Sequence, residues 1–335
     1  MSVKCVGVMG LGSIGMRHAR NAAQLGYDIV GYDPSPEARR AFETEFCHKA
    51  SERATALAEA DAIVIATPNS FHLDDLRDAI VVAKPVLVEK PLGHDADVAA
   101  RLVNIASERA VTLVASHNLR FRPVVQKAKK VLAGNELGLA IWARFCCASW
   151  LPDWRPGTDF RKGYAADPIS GGVIFDAIHE LDLAWHLLGP AKLRSAVASC
   201  GGLLKMQSEE IADIVLGHDG GCQTTIHLDY VTRPRQRHFE IAGSNGILYA
   251  DLRSGALKLT APDGRVTFEE NHPCDPNDEY LAVMKDFLDA AEGRGQPACP
   301  ASEAVATLRL ACEARRRAGL PHANETEGLR QSAAL

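Results

Sequence analysis

No Cys-x-x-Cys pair occurs among the nine cysteines, and their number is odd. Scattered thiols of this kind argue against a secreted disulfide scaffold and for reduced, mostly packing cysteines in a reducing cytoplasm. Cys146 and Cys147 are adjacent, so on a strand they point to opposite faces. No stretch reaches the ~18 consecutive apolar residues of a membrane helix. The start, Met1-Ser2-Val3-Lys4, runs straight into a strand and lacks the charged head and apolar core of a signal peptide. Positive charge is not in excess either. Against 37 Lys and Arg stand 42 Asp and Glu, a net charge of −5, which removes the overall electrostatic case for nucleic-acid binding. Lys127, Lys129 and Lys130, and the run Arg315-Arg316-Arg317, fall in helical stretches and read as solvated faces.

What is there is an ordinary globular chain of 335 residues, 47% hydrophobic and 24% charged. That length suits two ordinary domains. Up to about residue 120, compact apolar runs (Val3 to Met9, Asp28 to Tyr32, Asp61 to Ala66, Val86 to Glu89, Val111 to Ser116) alternate with helical stretches. Among the helices, Ser35-Pro36 supplies an N-cap and a first-turn proline, and Asn69 to Ala83 and Asp95 to Arg109 are the next two. Near-continuous apolar strands separated by helices predict an α/β domain with a parallel sheet covered on both faces. Beyond Pro123 the rhythm changes. One strand, Ala140 to Ser149, leads to a long polar loop, Trp150 to Ser170, and then to an amphipathic helix, Val173 to Leu188, stopped by Gly189-Pro190. Strand follows strand from Arg194 to Phe268, and helices at about Asn277–Glu292 and Ser302–Ala318 finish the pattern. The predicted domains are 1–120, a dinucleotide-binding fold, and 121–335, an antiparallel α+β domain.

Gly10-Leu11-Gly12-Ser13-Ile14-Gly15 is a G-x-G-x-x-G that follows a strand and opens a helix. The first glycine makes the tight turn, the second lets backbone approach a pyrophosphate, and the third lets helix and strand pack closely. The helix N-terminus then binds the anion. Asp33 lies about 20 residues after Gly12, at the end of the second strand, where a carboxylate accepts from an adenosine ribose. Thr67-Pro68-Asn69 with His72 follows the next strand and lines the same crevice, since ligands of parallel sheets bind beyond the strands' carboxyl ends. Glu89-Lys90-Pro91 ends the fourth strand at that edge. Lys90 there brings an ammonium close to a nicotinamide, able to hold a reacting oxygen, and the Lys90–Pro91 bond is a candidate for cis.

In Gly171-Gly172-Val173-Ile174-Phe175-Asp176-Ala177-Ile178-His179-Glu180-Leu181-Asp182 the residues Asp176, His179 and Asp182 share one face of a helix. A carboxylate that orients an imidazole makes a general base poised near neutral pH. His179-Glu180 does not extend to H-E-x-x-H, because position 183 is leucine. A metal held by His179, Asp182 and His186 is the minor alternative, and no metal is expected.

These pieces in this order resemble the Gfo/Idh/MocA family, the glucose–fructose oxidoreductase and inositol dehydrogenase group. The resemblance spans essentially the whole chain and rests on Gly10–Gly15, Thr67-Pro68-Asn69 with His72, Glu89-Lys90-Pro91, Asn118 with Arg120-Phe121, and the Gly-Gly…Asp-x-x-His block. It implies a Rossmann domain joined to a domain with a large, open, mostly antiparallel sheet whose other face supports a homo-oligomer, dimer or tetramer. It further implies that Lys90 and His179 are the active-site pair and that Trp154-Arg155 lie near the cofactor. Gly10, Gly12, Ser13, Ile14, Gly15, Asp33, Thr67, Pro68, Asn69, His72, Glu89, Lys90 and Asn118 are then the other cofactor residues. One departure concerns Asp176. The family's common spacing sets an aspartate four residues before the histidine, and here that position is Phe175.

The implied activity is hydride transfer between a nicotinamide and a hydroxyl of a sugar, sugar acid or cyclitol; the Asp33 charge, which repels a 2′-phosphate, favours NAD over NADP unless Arg39 and Arg40 of the following helix offset it. The alternatives are an NAD-dependent glycosidase that oxidises its substrate transiently, and a catalytically silent sugar sensor. Retention of both Lys90 and His179 argues against the sensor. Arg155, Arg161 and Lys162 in the long loop suit either an anionic substrate or the cofactor phosphates.

Overall fold

The structure is a computed structural model and describes residues 2–47, 50–154 and 156–323. It divides into two compact units, one of residues up to Asn118 together with Pro276–Ala306, the other of Leu119–Asp275 and Thr307–Ala323.

The first unit begins β1 (Cys5–Met9), α1 (Ser13–Gln24), β2 (Asp28–Tyr32), α2 (Pro36–Phe46), α3 (Arg53–Glu59) and β3 (Ala62–Ile65). It continues with α4 (His72–Val81), β4 (Val86–Glu89), α5 (Ala96–Glu108) and β5 (Leu113–Ser116). The five strands form one parallel sheet in the order β2-β1-β3-β4-β5. Strands β3, β4 and β5 are buried along their whole length, as expected of Val/Ile/Leu/Ala runs, with the polar Glu89 and Ser116 only at the carboxyl ends of β4 and β5. Because β1 lies between β2 and β3, the chain leaves it first to one side and then to the other. Its carboxyl end is therefore the topological switch point, where such sheets open a ligand crevice. Helix starts follow their sequence signals: Ser35 accepts from the Ala38 amide with Pro36 behind it, and Asp95 accepts from Asp97 and Val98.

The helix α9 (Asp278–Ala291), assigned from sequence to the second domain, packs on α1 in this first unit. Asn21 and Asn277 exchange amide bonds at 2.8 and 3.4 Å, Val3 N donates to Glu292 at 3.1 Å, and the Ala115 amide donates to Cys299 O at 3.2 Å. Contacts between the two ends of the chain leave no mark in local sequence patterning, which is why the linear boundary misses them.

The second unit contains α6 (Pro123–Ala133), β6 (Ala140–Ala148), α7 (Val173–Asp176) and α8 (Ile178–Leu188). Then come β7 (Ala191–Cys200), β8 (Glu209–His218), β9 (Gln223–Asp229), β10 (Gln236–Gly243), β11 (Gly246–Asp251), β12 (Ala256–Thr260) and β13 (Val266–Asn271). The helix α10 (Ala301–Arg317) runs from residues of the first unit into the second. The eight strands make one open sheet, β13-β12-β11-β10-β6-β9-β8-β7, antiparallel except where β6 lies beside β9. Its inner face carries Phe145, Ile214, Leu216, Ile226, Leu228, Phe239, Ile241 and Leu248, all buried, and Phe145 stacks on Phe239 at 5.3 Å. Helices α6, α7 and α8 cover that face. No helix among the described residues is long and apolar enough to cross a membrane.

The other face of this sheet is mainly polar. One row across it reads Asp213, His227, Cys146, His238, Asp251, and the next holds Thr225, Arg144, Glu240 and Tyr249. His227 stands between two carboxylates, Nδ1 at 2.7 Å from Asp213 and Nε2 at 3.0 Å from Asp229. The bond to Asp229 and then that to Asp213, against the cost of burial, lift its pKa to about 9. An ordinary imidazole titrates near ~6.5. The raised folded-state value means the imidazolium stabilises the fold fully below about 6.5, and the contribution disappears as pH climbs to about 9. Urea unfolding should therefore show the wild type losing its advantage over His227→Gln across that window; an advantage independent of pH counts against it.

Candidate active site

At the switch point the glycine motif does what its spacing requires. Gly10 has φ +91°, and a Cβ there would stand 2.7 Å from the Thr67 amide nitrogen; one on Gly15 would stand 1.7 Å from Gly10 O. A Cβ on Gly12 would meet nothing within 4 Å, so backbone at this position faces open space. Helix α1 starts there with no side-chain cap and no acid in its first turn, leaving the amides of Ser13, Ile14 and Gly15 for an anion. Asp33, at the end of β2, accepts from Leu11 N at 2.7 Å with one carboxylate oxygen and from Ser35 N at 2.8 Å with the other. Each oxygen keeps a second acceptor site for a ribose hydroxyl. Open space over a glycine, an uncapped helix end and a fixed carboxylate together fit a dinucleotide.

Beside it, Thr67, Pro68 and Asn69 form the turn after β3. Asn69 to Phe71 is a short 3₁₀ turn, and α4 begins only at His72, later than the helix predicted from Asn69. Thr67 donates its hydroxyl to Asp75 at 2.6 Å. His72, expected to bind the cofactor, is 2% exposed and held between two carbonyl oxygens, Pro91 O at 2.7 Å and Thr67 O at 2.8 Å. It is a bracket that fixes the Thr67 turn to the Lys90–Pro91 turn. Burial holds its pKa below the ordinary value, though both carbonyls pull the other way.

The Lys90–Pro91 bond is cis. Lys90 follows Glu89, which the structure makes a support for the lysine turn. One Glu89 oxygen meets His18 Nε2 of α1 at 2.8 Å, and the other accepts the Lys90 amide at 3.2 Å. Burial pushes the Glu89 carboxyl up, but His18, Ser116 and Lys90 more than offset it, leaving its pKa below the ordinary value. His18 is fully buried and meets Tyr280 of α9 edge-on at 6.0 Å, with the Arg17 guanidinium 4.5 Å from the same ring. Asn118 donates to Glu279 at 2.7 Å. None of His18, Glu279 and Tyr280 was singled out from sequence. His18 had a signal, lying one turn after Gly15; the α9 residues had none.

In the second unit the predicted continuous helix is broken. Ala177 has φ −99° and ψ 29°, so α7 ends at Asp176 and α8 starts at Ile178. Asp176 and His179 stand on either side of this break, and Asp176 accepts the Tyr230 hydroxyl at 2.6 Å. Burial and then the Asp176 charge raise the Tyr230 phenol well above its ordinary value, so it stays a donor. His179 is 7% exposed, and its helix is pinned by forked pairs. Glu180 takes Arg237 at 2.7 and 3.1 Å, and Asp182 takes Arg120 at 2.9 and 2.6 Å. Asp182 is thus an anchor, and among the described residues no three His, Cys, Asp or Glu side chains are grouped to hold a metal ion.

Upstream, Arg315 of α10 binds Glu209 at 2.6 and 2.5 Å and the Gly171 and Pro168 carbonyls at 3.0 and 2.7 Å. Arg315 is 1% exposed, which corrects the solvated face predicted for its run. Glu209 also accepts the Ile174 amide at 3.1 Å, and Gly172 (φ +93°) lies so close that a Cβ would stand 2.2 Å from its oxygen. Trp154 is 40% exposed, donates to Ser149 at 2.9 Å and meets Tyr230 edge-on at 5.6 Å. Arg155 lies outside the described residues.

A parallel sheet with a dinucleotide crevice and a lysine at its carboxyl edge, in one chain with an open sheet whose covering helix α8 carries the buried His179, defines a nicotinamide-dependent oxidoreductase. Residues 4–117 match the oxidoreductase family with NAD-binding Rossmann fold, GFO_IDH_MocA, and residues 125–249 match the GFO/IDH/MocA C-terminal domain. The chain belongs to this Gfo/Idh/MocA family. It is 29% identical to 1,5-anhydro-D-fructose reductase of Ensifer adhaerens over 80% of each chain. With inositol 2-dehydrogenase of Rhizobium meliloti it shares 26% over 91% of this chain and 94% of that one. A solved oxidoreductase from Agrobacterium radiobacter, in complex with NAD+, L-tartaric acid and magnesium, superposes with a TM-score of 0.82 at 22% identity, covering 94% and 96% of the two chains.

Proposed function

We propose that the protein transfers a hydride between nicotinamide and a hydroxyl or carbonyl carbon of a sugar, sugar acid or cyclitol. The observation that carries this is the placement of His179, nearly buried on a helix locked by two forked carboxylate–arginine pairs. A base held this firmly suits proton transfer at a fixed point. When bound, nicotinamide supplies the hydride acceptor. The Gly12 turn and the α1 amides hold the diphosphate, and Asp33 accepts from the adenosine ribose. Lys90 stabilises the alkoxide oxygen, and His179 takes the hydroxyl proton. Tyr230 and Asp176 fix the turn from which the His179 helix departs.

A panel of sugars, sugar acids and inositols with both cofactors tests the reading. Stoichiometric release of reduced nicotinamide supports it. Turnover without net reduction shows the glycosidase that uses transient oxidation, and ligand binding with no turnover shows the sensor.

NAD is the preferred cofactor in this proposal. A 2′-phosphate would meet the Asp33 carboxylate; of the nearby arginines, Arg39 donates Nη1 to Asp33 O and Pro34 O, and Arg40 pairs with Glu37 at 3.0 Å. In fluorescence titration NADH should bind more tightly than NADPH, with Asp33→Ser narrowing the gap; tighter NADPH binding overturns the preference. We also propose a homo-oligomer through the polar face of the large sheet, where Val197, Ile247 and Tyr249 stand exposed. The outer positions of β9 and β10 in that face are Thr225, His227, His238 and Glu240. A monomeric mass in light scattering rejects the oligomer.

A further inference from the structure

We propose that His18 is a positioning residue for Lys90, and that it fixes, through Glu89, the direction in which the lysine leaves the edge of the parallel sheet. The proposal rests on the role given to Lys90 above and adds the residue that keeps it in place.

His18 lies on α1, one turn beyond Gly15. Its ring is fully buried, and Nε2 stands 2.8 Å from one Glu89 oxygen. Nδ1 has no hydrogen-bond partner among the described residues, so the imidazole spends its one polar contact on this carboxylate. Among the described residues His18 is also the only ion-pair partner of Glu89. Arg17, its neighbour on α1, lies over the Tyr280 ring at 4.5 Å instead.

Glu89 is the last residue of β4 and stands opposite the buried Ser116 of β5. Its second oxygen accepts the Lys90 amide at 3.2 Å. That bond joins adjacent residues, so the glutamate makes it only with its side chain turned back on its own backbone. The last torsion of a glutamate is broad and imposes no such orientation by itself. His18 supplies it. Holding one oxygen fixes the plane of the carboxylate, and the other oxygen is then aimed at the Lys90 amide. The carboxyl is held below its ordinary pKa, so both oxygens remain acceptors. On the following residue, Pro91 O lies 2.7 Å from His72 Nδ1. Lys90 is thus bracketed through both of its neighbours, with His18 and His72 as the far anchors.

Cost argues the same way. Val86, Leu87 and Val88 fill the rest of β4 and are all buried. Two more apolar side chains in place of His18 and Glu89 would hold α1 to the sheet about as well, since a buried ionic pair brings little net stability over a well-packed apolar one. The polar pair stands at the carboxyl end of the strand, beside Lys90, where orientation matters more than adhesion.

The test is a double-mutant cycle on the full chain, using the polyol that turns over fastest in the panel above. His18→Leu should lower kcat by about 10-fold or more and leave NADH affinity nearly intact, yet have no further effect in the Lys90→Ala background. His18→Gln, whose amide can still reach Glu89, should recover part of the loss. A second readout needs no substrate: trace labelling with acetic anhydride, read by peptide mass spectrometry, compares acylation of Lys90 with that of Lys84 at the opposite end of β4. The ratio should change in His18→Leu and return toward wild type in His18→Gln. Glu89→Gln, which offers one carbonyl oxygen in place of two, should move both readouts in the same direction and covers the case in which His18→Leu does not fold. An equal loss of kcat with and without Lys90 overturns the proposal and makes the pair merely structural, as does a Lys90 labelling ratio indifferent to His18 and Glu89. If Lys90→Ala keeps wild-type turnover while its labelling follows His18, the role of Lys90 fails and the positioning stands. If Lys90→Ala cripples turnover and His18 is indifferent, the reverse holds.

Discussion

His179→Ala should lower kcat by about 10²–10⁴-fold, the usual cost of a positioned base, and leave NADH affinity nearly intact. Lys90→Ala should lower it by about 10²–10³-fold, as expected for a group that stabilises developing negative charge. The two effects separate from cofactor binding because the proposal assigns the dinucleotide to the Gly12 turn, the α1 amides and Asp33 rather than to either side chain. Steady-state rates with a reduced substrate analogue and a separate NADH titration make the measurement. Near-wild-type turnover in either variant removes that residue from the chemistry, and loss of activity with a chelator would revive a metal.

Arg315→Leu should destabilise the protein by about 3–5 kcal/mol, because it leaves the Glu209 carboxylate buried with no cation beside it. Glu209 is 0% exposed, so water cannot replace the guanidinium. Replacing both partners, as Arg315→Met/Glu209→Met, should recover most of that loss, since removing a buried pair together leaves no orphan charge. Equilibrium urea unfolding of the two variants checks this. A single variant as stable as wild type would mean that Glu209 is neutral in the fold and that the pair holds nothing together. Partial recovery of stability without recovery of turnover in the double variant would show that the turn before α7 needs the arginine's carbonyl contacts as well.

How far the sequence carries depends on whether the relevant physics is local. The glycine motif, Asp33 and the β4–Lys90 turn are legible because strand, turn and helix residues lie within a few positions of one another. The edge of a parallel sheet then brings them together without further information. The Ser35 and Asp95 caps are legible for the same reason. The break at Ala177 is not: a periodic apolar stretch reads as one helix, and the partners of the residues before the break, Tyr230 and Glu209, lie far along the chain. The buried roles of His72, Glu89 and Arg315 were missed because a titratable residue carries no local sign of whether its partner is a ligand or a distant carbonyl. The transfer of α9 to the first unit is the extreme case, with Asn277 finding Asn21.

The Arg315–Glu209 pair also has a consequence in time. Its partners are separated by 106 positions along the chain. At a synthesis rate of about 5–20 residues per second, Glu209 waits roughly 5–20 s for its arginine to be made. During that interval a carboxylate destined for burial has no cation, and the turn that launches the His179 helix has no latch. The nascent second unit must then keep Glu209 hydrated at the surface of a half-built sheet. The latch comes from α10, so a chain stalled before Arg315 is left without the contact that holds the turn before the His179 helix.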